Sequence, residues 1–287
     1  MHFPPFLLTQ TPFEQWVVAL SKTQDTPPMY GLYHLFWLGV VAVSILLVFL
    51  FKRLFSRRHD GAFRVFTLIL GVSLLLFEGY KQLIYSYSAD TDVWSYRWKF
   101  FPFQFCSTPI YVLPVIACLK NNRLRNALCS YLATYGFVAG LVVMLYPETV
   151  FSPSIGVNIQ TMFHHGSMLV YAVYLFASKR VAPTIETVLS AFPVFFLLCA
   201  VAMAMNLAYG DGETFNMFFI APDAMPPVPI LEKMFSTLPH GVYLFSYLVF
   251  FTVASCLVTL LAHVLTPSKN RTKRKGRRYN PNATINE

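Results

Sequence analysis

Charged residues are scarce in this sequence. They make up 12% of the 287 residues, whereas soluble domains carry about 25%. Hydrophobic residues make up 56%, and the mean hydropathy is +0.53. Because long apolar runs account for much of that fraction, the composition predicts one compact membrane domain and leaves no room for a second soluble domain.

The sequence also lacks the short motifs of several enzyme classes. It has no glycine-rich phosphate loop, no Gly-x-Ser-x-Gly elbow and no His-Glu-x-x-His pair. The cysteines lie in hydrophobic segments without the spacing of metal ligands, so most are expected to pack as small apolar side chains. These residues are Cys106, Cys118, Cys129, Cys199 and Cys256. We therefore predict no metal site, no cofactor and no disulfide framework.

Seven apolar runs are each close to the ~20 residues that a transmembrane helix needs. They are Tyr33–Phe51, Arg64–Tyr85, Phe101–Leu119, Leu124–Leu145, Gln160–Ser178, Thr184–Tyr209 and Gly241–Leu265. Of the 22 lysine and arginine residues, 17 lie in the first, third and fifth connections and in the carboxyl-terminal tail. Since basic residues favour cytoplasmic connections, the sequence predicts an all-α, polytopic transmembrane helix bundle of seven spans, with the amino end outside and the carboxyl end cytoplasmic.

The chain divides into three parts around this bundle. Residues 1–32 are predicted to form an amino-terminal interfacial segment, because their short aromatic stretches are interrupted by prolines. Residues 33–265 form the seven-span membrane domain, and residues 266–287 a basic, disordered cytoplasmic tail. The net charge of +9 comes mostly from residues that flank spans or lie in this tail. Anionic lipid, not nucleic acid, is therefore the expected partner of these charges.

Polar side chains within the predicted spans gather in one leaflet. With the alternation above, six spans contribute such residues to their outer halves. They are His34, Glu78, Lys81, Cys106, His164, His165 and Asn206, with His240 just before the seventh span. Because such groups normally face a bundle interior or a wet cavity, the pattern predicts a polar chamber open to the non-cytoplasmic side. The proline-rich stretch from Asp211 to His240 is consistent with a lid over it or with a plain connector.

Cys106 and the histidine pair offer one chemistry for this chamber. An imidazole that takes the thiol proton would leave a thiolate able to attack an ester carbonyl and form a thioester. Packing is the more common role of a cysteine in an apolar segment, and that alternative stays open. Adjacent helical residues point about 100° apart, so His164 and His165 cannot both face the same neighbour. The same groups would also suit a transporter, with Glu78 and Lys81 as an ion pair or proton relay.

Several short motifs in a fixed order resemble the bacterial YwaF-type integral membrane proteins. They are Gly31–Leu35, Phe77–Gln82, Phe103–Cys106, Gly140–Pro147, Phe163–Gly166 and Asn216–Phe219 followed by Pro222. That family is similar to a eukaryotic multispan acyltransferase group, which moves fatty acyl chains between phospholipids. The resemblance implies that Cys106 and His165 are the reactive pair. Gln104 stands where the bacterial pattern has a histidine.

Together these observations predict a thiol-dependent acyltransferase or lipid hydrolase that acts on membrane phospholipids near the extracytoplasmic face. Cys106 would be the nucleophile and His165 the base. Supporting or positioning roles are expected for His164, Gln104, Glu78, Lys81, His34, Asn216 and Asn206. A multi-pass protein of this type would lie in the plasma (inner) membrane if bacterial. The alternative is a non-enzymatic transporter or lipid-binding protein that uses the same polar chamber.

Overall fold

A computed structural model describes residues 10–51, 60–120, 122–210 and 215–265. The helices of this part of the chain are α1 Pro12–Leu20, α2 Leu32–Leu50, α3 Asp60–Ser86, α4 Pro109–Cys118, α5 Arg123–Tyr131, α6 Phe137–Leu145, α7 Ile155–Ala177, α8 Ile185–Tyr209, α9 Pro229–Thr237 and α10 His240–Leu265. The described strands, β1 Tyr87–Ser88 and β2 Val93–Trp94, form one short antiparallel hairpin. The predicted all-helical class is confirmed. The predicted basic tail, 266–287, lies outside the described residues.

Five helices are long and apolar enough to cross a membrane within the described ranges. They are Leu32–Leu50, Asp60–Ser86, Arg123–Leu145, Ile185–Tyr209 and His240–Leu265. Their outward faces carry large exposed apolar side chains, as expected for helices surrounded by lipid. The protein is therefore an integral, multi-pass membrane protein.

The third predicted span, Phe101–Leu119, is only partly helical. It begins with a 3₁₀ turn at Phe105–Ser107 and continues as α4, whose ten residues are about 15 Å long. Proline at 102 favours an extended residue before it, which keeps the start of the segment out of a helix. Pro114 lies inside α4 and packs against α3 at Gly71, where an added Cβ would meet Pro114 Cδ at 2.9 Å.

The fourth predicted span contains a π-helical turn, Leu132–Gly136, between α5 and α6. All five residues of that turn are buried. Before the turn, α5 packs mainly on α8, and after it α6 packs mainly on α7. The turn thus marks the point at which this span changes its packing partner.

Helix α7 is the centre of the bundle. Fifteen of its 23 residues are buried, including several polar ones, and it packs against α2, α3 and α6. The side chain of Ser154 accepts a hydrogen bond from Val157 N–H and caps the helix, so α7 begins one turn before the predicted Gln160. His164 and His165 therefore lie inside the protein and not at the lipid surface.

Hydrogen bonds join different segments at the two ends of the bundle. At one end, Asp60 at the start of α3 accepts hydrogen bonds from Arg125 of α5 at 2.5 Å and from Arg180, just after α7, at 3.4 Å. At the opposite end, Tyr80 of α3 donates to the backbone oxygen of Leu20, the last residue of α1, at 2.8 Å. Helix α1 is thereby held beside the carboxyl-terminal part of α3.

Candidate functional site

Cys106 lies in the 3₁₀ turn that precedes α4. Thr108 fixes this turn, because its hydroxyl donates to the backbone oxygen of Phe105 at 2.9 Å and lies 2.8 Å from the Tyr131 hydroxyl. The Phe105 ring packs between α8 and α10, with its centroid 5.2 Å from Phe195. These contacts hold the backbone of Cys106 in place within the bundle interior.

His164 joins α7 to this turn. Its Nε2 atom lies 2.8 Å from the backbone oxygen of Cys106, so Nε2 carries the proton and donates. The other ring nitrogen, Nδ1, is buried and has no hydrogen-bond partner among the described residues. In the neutral ring this nitrogen holds a lone pair.

His165 is held through its other ring nitrogen, Nδ1, and not through Nε2. Its Nδ1 atom donates to the backbone oxygen of Thr161, one turn earlier on α7, at 2.7 Å. Its Nε2 atom is buried and likewise has no partner in the described part of the chain. The two imidazole centroids are 5.1 Å apart. This arrangement, in which Nδ1 is fixed by a carbonyl and Nε2 is free to accept a proton, is the one that a histidine base requires.

A polar network leads from the histidines towards the carboxyl-terminal end of α3. Glu78 lies 2.8 Å from Lys81 Nζ and accepts hydrogen bonds from Gln82 at 2.6 Å and from Gln160 at 3.4 Å. The Thr161 hydroxyl donates to Gln160 at 3.4 Å. The network therefore runs from Lys81 through Glu78 to the residue that orients His165.

Gln160 and Thr161 were not among the residues predicted for the site. A signal for them was present in the sequence, because they precede the histidines by about one turn on the same helix. Their polarity inside an apolar span was the same feature that drew attention to the histidines.

His34 is placed elsewhere in the fold. Its Nδ1 atom accepts from Tyr30 N–H at 2.9 Å, and its Nε2 atom donates to the backbone oxygen of Met144 at 2.8 Å. Both ring nitrogens are thus occupied by backbone groups. His34 fastens the start of α2 to the end of α6, and the structure does not bring it to Cys106 through any contact in the described residues.

Three predicted site residues hold the segment after α8. Gln104 donates to Asn216 O at 2.8 Å and accepts from Phe218 N–H at 3.0 Å. Asn206 forms two similar bonds with the backbone of Met217, at 3.0 and 2.7 Å. Asn216 spans Ala221 and Ala224 in the same way, at 2.9 and 2.7 Å. These amides therefore act on the backbone of this segment and not directly on the thiol.

The clamped segment carries backbone strain. Phe218 and Phe219 have φ angles of 58° and 59°, a region that costs a side-chain-bearing residue about 1–3 kcal/mol. The Phe218 ring is fully buried and lies 5.5 Å from Phe105. Residues 215–224, which we call the cover, thus pack beside the Cys106 turn.

The structure thus groups Cys106, His164, His165, Glu78 and Lys81 around one junction of α3, α4 and α7. Gln104, Asn206 and Asn216 form a second group beside it. The first group supplies a thiol, two ring nitrogens with free lone pairs and one internally balanced ion pair. Such a set can move a proton away from a thiol and return it to a leaving group.

The chain was compared with known proteins. The sequence model of the TMEM164 family matches residues 29–274, which is well over half of the chain. No curated protein matches the sequence, and no solved structure matches the fold. The match runs from the residues before α2 to beyond α10 and includes every residue of the candidate site. The chain therefore belongs to the TMEM164 family.

Proposed function

We propose that this protein is a thiol-dependent acyltransferase or lipid hydrolase that takes an acyl chain from a membrane phospholipid through a thioester on Cys106. Seven segments, of which the third is only partly helical, would cross the membrane with the amino end outside. Arg125 and Arg180, which are predicted to be cytoplasmic, meet at one end of the bundle, and this supports the topology. The site would then lie near the extracytoplasmic face, in the plasma (inner) membrane if bacterial.

One observation carries the proposal. The His164 ring touches the backbone of Cys106 at 2.8 Å, and two buried ring nitrogens beside it, His164 Nδ1 and His165 Nε2, have no partner among the described residues. Buried polar atoms are nearly always hydrogen-bonded, so an exception of this kind points to a function. A base that must accept a proton during a reaction is such a function.

The reaction proceeds in two balanced steps. His165 Nε2 takes the proton of the Cys106 thiol, and the thiolate attacks the carbonyl carbon of the phospholipid ester. The ester C–O bond breaks, the leaving lysophospholipid oxygen receives the proton from His165, and the acyl group remains on Cys106 as a thioester. In the second step the hydroxyl of a lysophospholipid, or water in a hydrolase, gives its proton to His165 and attacks the thioester, which releases the thiolate for reprotonation.

The resting geometry requires one adjustment. Neither free ring nitrogen has a hydrogen bond to the thiol, and His165 points about 100° away from His164, which contacts Cys106. The proposal therefore requires the Cys106 side chain to move towards His165 when substrate arrives. Catalytic hydrogen bonds are often formed only in the substrate complex. The bond from His164 engages the Cys106 backbone and does not involve the thiol.

The phospholipid headgroup has a matching polar region. Lys81 is partly exposed and paired with the buried Glu78, at the outer end of α3. A phosphate placed there would meet the ammonium group of Lys81. The acyl ester would then lie inward of the headgroup, on the side of Cys106 and the histidines.

The direct test is to look for the acyl-enzyme. Purified protein in detergent is mixed with a phospholipid that carries a radiolabelled acyl chain, quenched in acid, and treated with or without hydroxylamine, which cleaves thioesters. We expect hydroxylamine-sensitive label on wild type, none on Cys106→Ala, and normal label on Cys118→Ala, an exposed cysteine in the same segment. Absence of label from wild type, with solute flux that depends on Glu78, would instead support the transporter.

A further inference from the structure

A groove lies between α2 and α3, with α7 as its floor. Its walls include Val40 and Val41 of α2 and Phe66 and Leu70 of α3, and it has a volume of about 140 Å³. Helices α2 and α3 each pack against α7. The groove is therefore the gap that two neighbouring helices leave over a shared third helix.

This groove opens towards the surroundings of the bundle. Val40 is 36% exposed and Phe66 41% exposed, and both belong to helices that are long and apolar enough to cross a membrane. The medium in front of the groove is therefore the hydrocarbon of the bilayer. Whatever fills the groove enters from the lipid side.

The hydroxyl groups of the groove lining are not free to bind a guest. Its two hydroxyl-bearing side chains already have partners, since Ser167 donates to His164 O at 2.7 Å and Tyr171 lies 2.9 Å from the Thr67 hydroxyl. The remaining lining is aliphatic and aromatic. A hydrocarbon chain matches this surface, whereas a polar solute would lose its hydration without compensation.

A narrow inner pocket adjoins the groove and leaves only about 10 Å³ of room, so its side chains must move before it can admit a hydrocarbon chain. Leu70, Ser167 and Tyr171 line both spaces. Pro109 and Met168 also line the inner pocket, and they follow Cys106 and His164 by three and four residues. The pocket therefore lies about one helical turn inward of the Cys106–His164 contact.

We infer that the groove binds the tail of a phospholipid's fatty acyl chain and that the inner pocket widens to admit the part of the chain nearest the ester. The carbonyl end of the chain would lie beside Cys106, the first methylene groups would pass Leu70 and Ser167, and the tail would leave the protein between α2 and α3. The position of the carbonyl end rests on the proposed function. The position of the tail rests on the groove alone.

The test uses a phospholipid with a photoactivatable diazirine near the middle of one acyl chain and an alkyne at its end. The full-length Cys106→Ala protein is reconstituted with this lipid, irradiated, and digested for mass spectrometry. We expect adducts concentrated on the peptides that contain Val40, Leu70 and Val170, in excess over the equally lipid-facing α10. The nucleophile is absent from this variant, so tail binding is measured without chemistry.

A pair of matched variants tests the groove itself. Val40→Trp fills the groove, while Val43→Trp introduces the same side chain at an exposed position of α2 that does not line it. We expect Val40→Trp to lower groove adducts by about tenfold, the loss expected when roughly two methylene groups no longer enter. Val43→Trp should leave them unchanged. The same two substitutions in the wild-type background should have the same effects on acyl transfer.

Other outcomes separate the two proposals. Adducts spread evenly over all lipid-facing helices, or equal labelling of the two tryptophan variants, would overturn the groove even if the acyl-enzyme forms. Concentrated groove adducts without any acyl-enzyme in wild type would keep the groove and overturn the acyltransferase. Crosslinked dimers joined through α2 or α3 would show that a second copy, not a lipid tail, fills the groove.

Discussion

His164 Nε2 lies 2.8 Å from the backbone oxygen of Cys106, so the contact between these two residues leaves the thiol uninvolved. A ring that holds the backbone of the reactive residue acts as a positioning group. The neighbouring ring of His165 has its proton on Nδ1, bound to Thr161 O, and is free to act as the base. The two histidines should therefore respond differently to the same substitutions.

His164 should tolerate a donor-preserving change, and His165 should not. His164→Gln keeps a side-chain N–H that can reach Cys106 O, so we expect it to retain most of the acyl-transfer activity, whereas His164→Leu loses it. His165→Gln removes a base and should lower kcat by about 10²–10⁴-fold with a small change in KM. Single-turnover transfer from a labelled phospholipid measures both.

His263 provides the control for these variants. It is exposed at the far end of α10, where its ring contacts the backbone oxygen of Pro183. His263→Gln should leave the rate unchanged. If His164→Gln and His165→Gln lose activity equally, the division of roles between the two rings is wrong.

Gln104 should stabilise the cover beside the site more than it affects the chemistry. Gln104→Ala removes two hydrogen bonds to the backbone of Asn216 and Phe218 and leaves buried groups without partners. We expect a loss of about 1–3 kcal/mol in the free energy of unfolding. Faster amide hydrogen exchange in residues 215–221 should accompany it, because this strained backbone loses one of its holds.

The matched change on the surface is Gln15→Ala. Gln15 lies on α1 and has one exposed hydrogen bond, to Gln10 O, so its loss should alter neither the unfolding free energy nor exchange in residues 215–221. Unchanged exchange in Gln104→Ala would mean that the cover is held by Asn206 and its own side chains without Gln104.

Gly140 sets the approach of α6 to α7. A Cβ at this position would lie 2.9 Å from Met168 Cβ and 3.0 Å from the backbone oxygen of His165. Gly140→Ala should therefore destabilise the protein by about 1–3 kcal/mol through overpacking. It should also slow the proposed acyl transfer, since α7 must move where it carries His165. Thermal unfolding in detergent and transfer assays measure the two effects.

Gly79 is the contrasting glycine. It lies in α3, and a Cβ there would meet nothing within 4 Å. Gly79→Ala should stabilise the protein by about 0.5–1 kcal/mol, because alanine has the higher helix propensity. A destabilising effect at Gly79 as large as that at Gly140 would show that space at the helix contact is not the cause.

Asp60 joins three segments at the end of the bundle opposite the site. Its carboxylate pairs with Arg125 and Arg180, whose side chains are nearly buried, while Asp60 itself is 47% exposed. Asp60→Asn should lower the free energy of unfolding by about 1–2 kcal/mol. This is less than the loss expected when one partner of a fully buried ion pair is removed, because water reaches the Asp60 carboxylate. Asp25→Asn, at an exposed position, is the control. Acyl transfer by Asp60→Asn at low temperature should equal that of wild type. Arg180, the partner of Asp60, follows the end of α7, whereas His164, which contacts Cys106, lies in its first half.

Apolar runs were sufficient to predict the five long apolar helices, because lipid demands long, continuous segments with satisfied backbones. The same rule failed for Phe101–Leu119. Prolines at 102 and 109 shorten the helix there, and Gln104 before the helix bonds to the distant backbone of Asn216 and Phe218. The positions of Cys106 and the histidines along the predicted spans place them in one leaflet. They gave no information on which ring nitrogen meets which carbonyl, since that depends on the rotation of α7 about its axis.

The roles of Gln104, Asn206 and Asn216 were beyond the reach of sequence. Their bonds join residues up to 114 positions apart, and an amide in a span looks the same whether it binds a substrate or a backbone. Nothing in the pattern of Phe218 and Phe219 indicates left-handed backbone, which phenylalanine rarely adopts. Such a conformation depends on the clamps around it.

The π-helical turn at Leu132–Gly136 inserts one extra residue into one helical turn of the fourth predicted span. A deletion of one residue there would let the span run as a single regular helix, yet it would rotate everything beyond by about 100° relative to everything before. With α5 still seated on α8, Gly140 would turn away from His165 and a bulky neighbour would take its place. The π-helical turn therefore allows α5 to pack on α8 and α6 to pack on α7, although the two contacts require different rotations of the span about its axis.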